Sequence, residues 1–266
     1  MKLEGIHHIT AITGDAPGNV DFYTRVLGLR LVAKTVNQDQ PDVYHLFFAS
    51  ETGKPGSELT FFEYPGAIPG QPGEGMVHRI VSRVGSPEAL DFWAQRLGDL
   101  DVPAERTEGS VRFADPEGLA HELVVSTVDE PLVAQHPDIP EAYALGGFAS
   151  VRAYSGRPER SAALLERVLG ATPAGDATWE LRGERRGSTI AYDPSPGLGR
   201  QAAAAVPSAL QDLLAALGGG GHRYGNSLTP RGRETSPTRP SEPADLAAAS
   251  SAPRSPPAAT RGTAAG

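Results

Sequence analysis

Residues 7–32, HHITAITGDAPGNVDFYTRVLGLRLV, decide the fold, because the chain repeats their pattern twice. Residues 77–102 read VHRIVSRVGSPEALDFWAQRLGDLDV, and residues 148–173 read FASVRAYSGRPERSAALLERVLGATP. Each stretch gives alternating apolar residues, a turn of Gly, Pro, Asn or Ser, an amphipathic run and a closing Leu-Gly. The pairs Leu27-Gly28, Leu97-Gly98 and Leu169-Gly170 are spaced by 70 and 72 positions. In the first run Phe22, Val26 and Leu27 mark a helix face that Val20 and Tyr23 widen, and Gly28 offers the left-handed residue that ends it. Leu90, Trp93 and Leu97 repeat the face, closed by Gly98.

Strand-like runs follow at 29–35, 44–49 and 59–64, and less regularly at 110–113 and 121–125. The order in each unit is strand, helix, then three strands. The expected fold class is α+β, with tandem β-α-β-β-β units forming curved mixed sheets, helices outside, and a disordered tail. Units 6–65 and 77–126 make a domain over 3–128, followed by a linker at 129–145. Residues 146–199 hold the third unit only, an incomplete second domain in which a fourth unit is expected after Pro194 and is not found. Each unit exposes one sheet face, so units pair, and paired curved sheets leave a cleft suited to a ligand or metal.

The 266 residues carry a formal charge of -8 with both signs mixed, and no basic stripe marks a nucleic-acid face. With no cysteine, disulfides, thiolate metal sites and cysteine nucleophiles are all excluded. No apolar run approaches the roughly 20 residues of a membrane span, and the amino terminus lacks a signal-peptide pattern. The expected location is cytoplasmic. Composition changes near residue 200: from Gln201 onward there is no Ile, Phe or Trp, and Ala, Pro, Ser, Gly and Arg dominate. Only 206–217, VPSALQDLLAAL, has helix-like spacing, and the remainder cannot bury enough apolar surface to offset its ordering entropy.

The stretches GIHHITAITGD, NVDFYTRVLGLRLVAKTVNQDQPDVYHLFFASETGKPGSELTFF, GSPEALDFWAQRL and FADPEGLAHELV resemble the vicinal oxygen chelate superfamily. More narrowly, they are similar to its ring-cleaving dioxygenases of the hydroquinone-cleaving type, from about residue 3 to 199. The resemblance implies an Fe(II) enzyme that opens a hydroquinone- or catechol-like ring with O2, its iron on two His and one Glu. It implies that His8 is the first ligand and that His7 and Thr10 are pocket residues that orient substrate or relay protons. The other two ligands belong to the family's fourth unit. Here the only later histidine is His222, and Glu234 and Glu242 lie in Pro/Ser/Arg-rich sequence. The expectation is therefore weak or absent activity unless a partner chain completes the site. A shift of reading frame in GC-rich DNA would produce such a change. If the other two frames past codon 199 encode no HH strand and no apolar-Glu strand, that idea fails.

By alternation alone, His7 and His8 point to opposite sheet faces and only one enters a cleft, the plain reading being a half-exposed strand-end pair. Aligning Asp21-Phe22 with Asp91-Phe92 without a gap sets His8 opposite His78 and puts Glu122 in the second unit's last strand. If units one and two faced each other, His8, His78 and Glu122 would form a 2-His-1-carboxylate set, that of a glyoxalase-like isomerase or lyase. In the hydroquinone-cleaving type, units one and four pair instead, which separates these residues. A third reading is a metal-free protein that binds an aromatic compound. His45 reads as a pocket or sheet-face residue, His121 as outward-pointing and His136 as part of the linker. Asp115-Pro116-Glu117-Gly118 is turn chemistry. Glu141, Glu159 and Glu166 sit on solvated faces, the Gly run at 218–221 is no phosphate loop, and no Ser-His-Asp set stands out. Unpaired units leave sheet surface exposed, so association of copies is expected.

Overall fold

The computed structural model describes residues 3–67, 70–196 and the backbone of 206 and 207. The readings made for the rest of the tail, including His222, Glu234, Glu242 and the Gly run, lie outside the described residues. The first unit forms β1 (His8–Thr13), α1 (Ala16–Asp21), β2 (Arg30–Val36), β3 (Tyr44–Ala49) and β4 (Glu58–Glu63). Asp15 caps α1, its Oδ1 accepting from the Gly18 N–H at 3.2 Å, with Pro17 in the first turn. The helix then widens into a π-turn over Phe22–Val26, where the Leu27 N–H reaches back five residues to the Phe22 carbonyl at 3.1 Å. Gly28, at φ 71°, ends it.

The second unit forms β5 (Val77–Val84), α2 (Pro87–Asp99), β6 (Ala104–Arg106), β7 (Ser110–Ala114) and β8 (Ala120–Val125). Here Gly98 does not end the helix: α2 runs through it to Asp99, and the left-handed residue is Asp101, at φ 55°. The third unit forms β9 (Phe148–Tyr154), α3 (Glu159–Ala163) with a π-turn over Leu164–Val168, β10 (Thr172–Gly175), β11 (Thr178–Leu181) and β12 (Ser188–Asp193). Tyr23, Trp93 and Leu165 fill the same place in the three helices, and each is fully buried. Truncating any of them to Ala should cost about 2–5 kcal/mol.

The strands form two mixed sheets. One has the order β13-β1-β4-β3-β2, where β13 is Val206–Pro207, and the other has the order β10-β11-β12-β9-β5-β8-β7-β6. Units two and three share the larger sheet because β5 and β9 pair antiparallel, with Ile80 opposite Val151. On β1 the corresponding edge is taken by β13, with Thr10 opposite Val206 and Ile9 opposite Pro207. Val206, read from sequence as the start of a helix, is therefore in a strand. No helix among the described residues is long and apolar enough to cross a membrane.

Alternation sorts the smaller sheet into two faces. Ile9, Ala11, Leu46, Phe48, Leu59 and Phe61 pack into the core, the Tyr23 ring lying 4.8 Å from Phe61 and 5.2 Å from Phe48. The Tyr23 hydroxyl then ties the first helix to the second unit. It donates its one proton to Asp115 Oδ2 at 3.0 Å, so the His121 Nε2 at 3.0 Å must be the protonated nitrogen, donating to the tyrosine oxygen. His121 thus points inward, 3% exposed and stacked on Phe113, not outward as its place next to Glu122 suggested. Burial pushes its ring down to about 3, and burial likewise raises the Asp115 carboxyl. The Asp115 turn is as expected, with Oδ1 accepting from the N–H groups of Glu117 and Leu119. The connection at 129–145 packs against the body, with Leu132, Ala134 and Ile139 buried.

Candidate functional site

The other face of the smaller sheet is organised by register. Parallel pairing sets His8 opposite Glu58, Thr10 opposite Thr60 and Ile12 opposite Phe62. On the far side of β4, β3 sets Phe47 opposite Thr60 and His45 opposite Phe62. Since residues two apart share a face, this surface carries three rows: His8 and Glu58, then Thr10, Thr60 and Phe47, then Ile12, Phe62 and His45.

His7 joins the first row although alternation sent it away. It lies one residue before β1, where the backbone has turned at Gly5 (φ 118°) and the His7 carbonyl accepts from the Gly56 N–H at 2.7 Å. Strand geometry does not govern it there, and the two imidazoles meet edge to face, Nδ1 to Nδ1 at 2.9 Å. His7, His8 and Glu58 each present a donor atom, all within 4.8 Å of one another. Two imidazoles and one carboxylate are the donor set of non-haem iron sites with free positions. Adjacent ligands on an ion with metal–nitrogen distances near 2.1 Å are roughly 3 Å apart, as these two nitrogens are. The donor set therefore fits a divalent ion. Glu58 was missed in the sequence, although its place at the head of an alternating strand gave the signal.

The second row is a hydroxyl pair. Buried Thr60 donates to Thr10 Oγ1 at 3.0 Å, which leaves the Thr10 proton to point elsewhere. In the third row the His45 ring stacks on Phe62, with centroids 3.9 Å apart, and leans on Phe47 at 4.0 Å. Burial, with the His8 charge next, pushes the His45 ring down to about 4. His45 is thus a sheet-face residue beside the candidate donors.

His8, His78 and Glu122 are not brought together. His78 lies on β5 in the larger sheet, stacked on Tyr154 at 4.0 Å, its Nε2 2.7 Å from Asp193 Oδ2. Burial lowers the His78 pKa, and the bond to Asp193 opposes that without reversing it. Glu122 is held by Arg112 at 2.8 Å and Arg79 at 3.2 Å. Burial alone would raise its carboxyl, but the hydrogen bonds from Arg112 and Ser110 and the two guanidinium charges outweigh it, so the pKa falls. Arg152 pairs with Asp193, whose carboxyl it holds low. The three-residue alternative has no geometric support here.

Residues 5–123 match the family described as the Glyoxalase/Bleomycin resistance protein/Dioxygenase superfamily. MhqO of Bacillus subtilis (strain 168), which bears the name of a ring-cleaving dioxygenase, is 42% identical over 173 residues, 64% of this chain and 55% of its own length. The chlorohydroquinone/hydroquinone 1,2-dioxygenase of Sphingobium indicum is 32% identical over 185 residues, 65% of this chain and 57% of its own length. The chain thus spans just over half the length of the curated relatives it matches. A crystal structure from Bacillus subtilis subsp. subtilis str. 168, described as that of a dioxygenase, is 35% identical with a TM-score of 0.70, covering 81% of this chain and 75% of that one. The repeated β-α-β-β-β units and these matches agree: the chain belongs to the glyoxalase/bleomycin resistance protein/dioxygenase superfamily.

Proposed function

We propose that the chain is an Fe(II)-dependent ring-cleaving dioxygenase whose substrate is a hydroquinone-type phenol. The observation that carries this reading is the meeting of His7, His8 and Glu58 at one end of a sheet face that continues into hydroxyls and aromatic rings. The relatives' names supply the reaction class, and the chlorohydroquinone/hydroquinone enzyme supplies the substrate class.

In this reading His8 and Glu58, opposite each other on β1 and β4, would hold the metal, with His7, whose Nδ1 already lies 2.9 Å from that of His8, as the third donor. Fe(II) bound there would supply a redox centre with free positions for the phenol and O2. Thr10, its oxygen already accepting from Thr60, uses its own proton to orient a substrate oxygen. Phe47 and Phe62 offer the ring a face to stack on and keep water from it. His7 therefore moves from the pocket role that the resemblance implied to a donor role.

The test is an anaerobic Fe(II) titration of the full chain followed by oxygen uptake with hydroquinone. One tightly held iron per chain with ring opening supports the reading. Hydroquinone binding with no iron uptake would sink it in favour of a metal-free aromatic-binding protein.

A further inference from the structure

We propose that His45 is a substrate-recognition residue, whose ring accepts a hydrogen bond from the phenol hydroxyl para to the one held at the metal end. The proposal rests on the function proposed above and adds the residue that selects a para-dihydroxy ring.

The Nε2 of His45 is buried and has no hydrogen-bond partner among the described residues. Buried ring nitrogens are nearly always paired, and an unpaired one costs free energy that a phenylalanine would not. The surroundings are aromatic: Phe62 stacks on the ring and Phe47 leans against it, so phenylalanine would satisfy packing equally well. A histidine with a spare nitrogen in an aromatic stack calls for a polar partner that the chain itself does not provide.

The rows show where that partner would come from. His8 and Glu58 hold one corner of the face, and His45 sits in the third row on β3, diagonally across. Between them lie Thr10, Thr60 and Phe47. The His45 ring leans back onto Phe47 of the second row, with centroids 4.0 Å apart, so a flat ring held by one oxygen at the first row and lying over the second directs its opposite end toward that imidazole. Hydroquinone carries a hydroxyl at that end, whereas a simple phenol carries only hydrogen. The imidazole is uncharged at neutral pH, so with its own proton on Nδ1 the Nε2 lone pair accepts the hydrogen bond from that hydroxyl.

The test is equilibrium dialysis under nitrogen, with Fe(II) added to the full chain, of hydroquinone against 4-methoxyphenol, which lacks one of the two donors. The wild-type chain should prefer hydroquinone by about tenfold, the effect of one net hydrogen bond. His45→Phe should abolish the preference while keeping the aromatic stack, and His45→Gln, which retains an acceptor, should restore part of it. A preference that survives His45→Phe, or none in the wild type, overturns the proposal. Oxygen uptake separates the two readings. Discrimination without uptake sinks the dioxygenase and leaves His45 as the recognising residue, while uptake without discrimination sinks the role of His45.

Discussion

The two sheets carry the same strand pair with different side chains on the face away from the core. On the smaller sheet, the first row is His8 and Glu58, with His7 beside it. On the larger sheet the corresponding row is Arg79 opposite Ala120, and the face behind it is filled by Arg79, Arg112 and Arg152 neutralising Glu122 and Asp193. The correspondence follows from the core: Ile9 and Ile80 are both fully buried, and the caps Asp15 and Ser86 stand 71 positions apart. The Leu-Gly pairs stand only 70 apart, because the π-turn in the first helix takes up one extra residue that α2 lacks. Aligned through the strands, His8 corresponds to Arg79 and His78 to His7. The third unit, which has its own π-turn, puts Ser150 and Thr189 at the His8 and Glu58 places, joined by a 2.7 Å hydrogen bond. Among the described residues, only the first unit brings two imidazoles and a carboxylate together at this place.

The largest expected effect tests this asymmetry directly. His8→Ala and Glu58→Ala should each weaken Fe(II) binding by at least about 100-fold, while His78→Ala leaves it unchanged. Iron measured on the desalted chain reads the difference, and loss of iron from the His78 variant would return the site to the discarded set. The converse experiment moves the donors. Arg79→His combined with Ala120→Glu would reproduce, next to His78, the arrangement of the first unit. A second iron per chain is the expected outcome, and failure to gain it would show that the second face differs from the first by more than its guanidinium.

Where local rules act undisturbed, the sequence was enough. The three repeats, their α+β class and the core faces of the first two helices follow from spacing and from Gly28, whose positive φ a larger residue would resist. Two errors share a cause, which is that periodicity assumes regular elements. The π-turn shifts the helix by one residue and so misplaced the partner of His8. His7 escapes alternation because it lies outside the strand, and its approach to His8 depends on backbone contacts near Gly5 and Gly56 that no local pattern carries. His121 is a different error: it was read from its neighbour Glu122, whereas it shares a face with buried Leu123 and bonds to Tyr23, 98 positions away. Glu58 could have been found by asking which residue opens the strand parallel to β1, a question of pairing, not of motif.

The remaining predictions concern stability, where the arginine-filled face should be the more sensitive. Arg79→Met leaves Glu122 with Arg112 and Ser110 and should cost about 1–2 kcal/mol, read as a shift in the urea midpoint. Removing Glu58 should cost less, and an equal cost would show that its carboxylate supports the fold as that of Glu122 does.

A pH-dependent effect comes from His121 at the seam between the first two units. Its ring titrates at about 3 in the fold and near ~6.5 in the unfolded chain, so between these values only the unfolded chain takes up the proton. The stability it contributes is therefore intact above about pH 6.5 and is lost as the pH falls toward 3, by no more than ~1.4 kcal/mol per pH unit. His45 shifts in the same direction, so the wild-type slope alone does not isolate the residue. The difference between wild type and His121→Gln does, since glutamine can still donate to the Tyr23 oxygen and carries no titrating proton. Urea midpoints at pH 7.5, about 6 and about 5 should converge with falling pH as the wild type loses its advantage. A gap that stays constant over that range would mean that His121 takes up its proton in the fold as readily as in the unfolded chain, and the uncharged imidazole assigned from the Tyr23 and Asp115 bonds would be wrong.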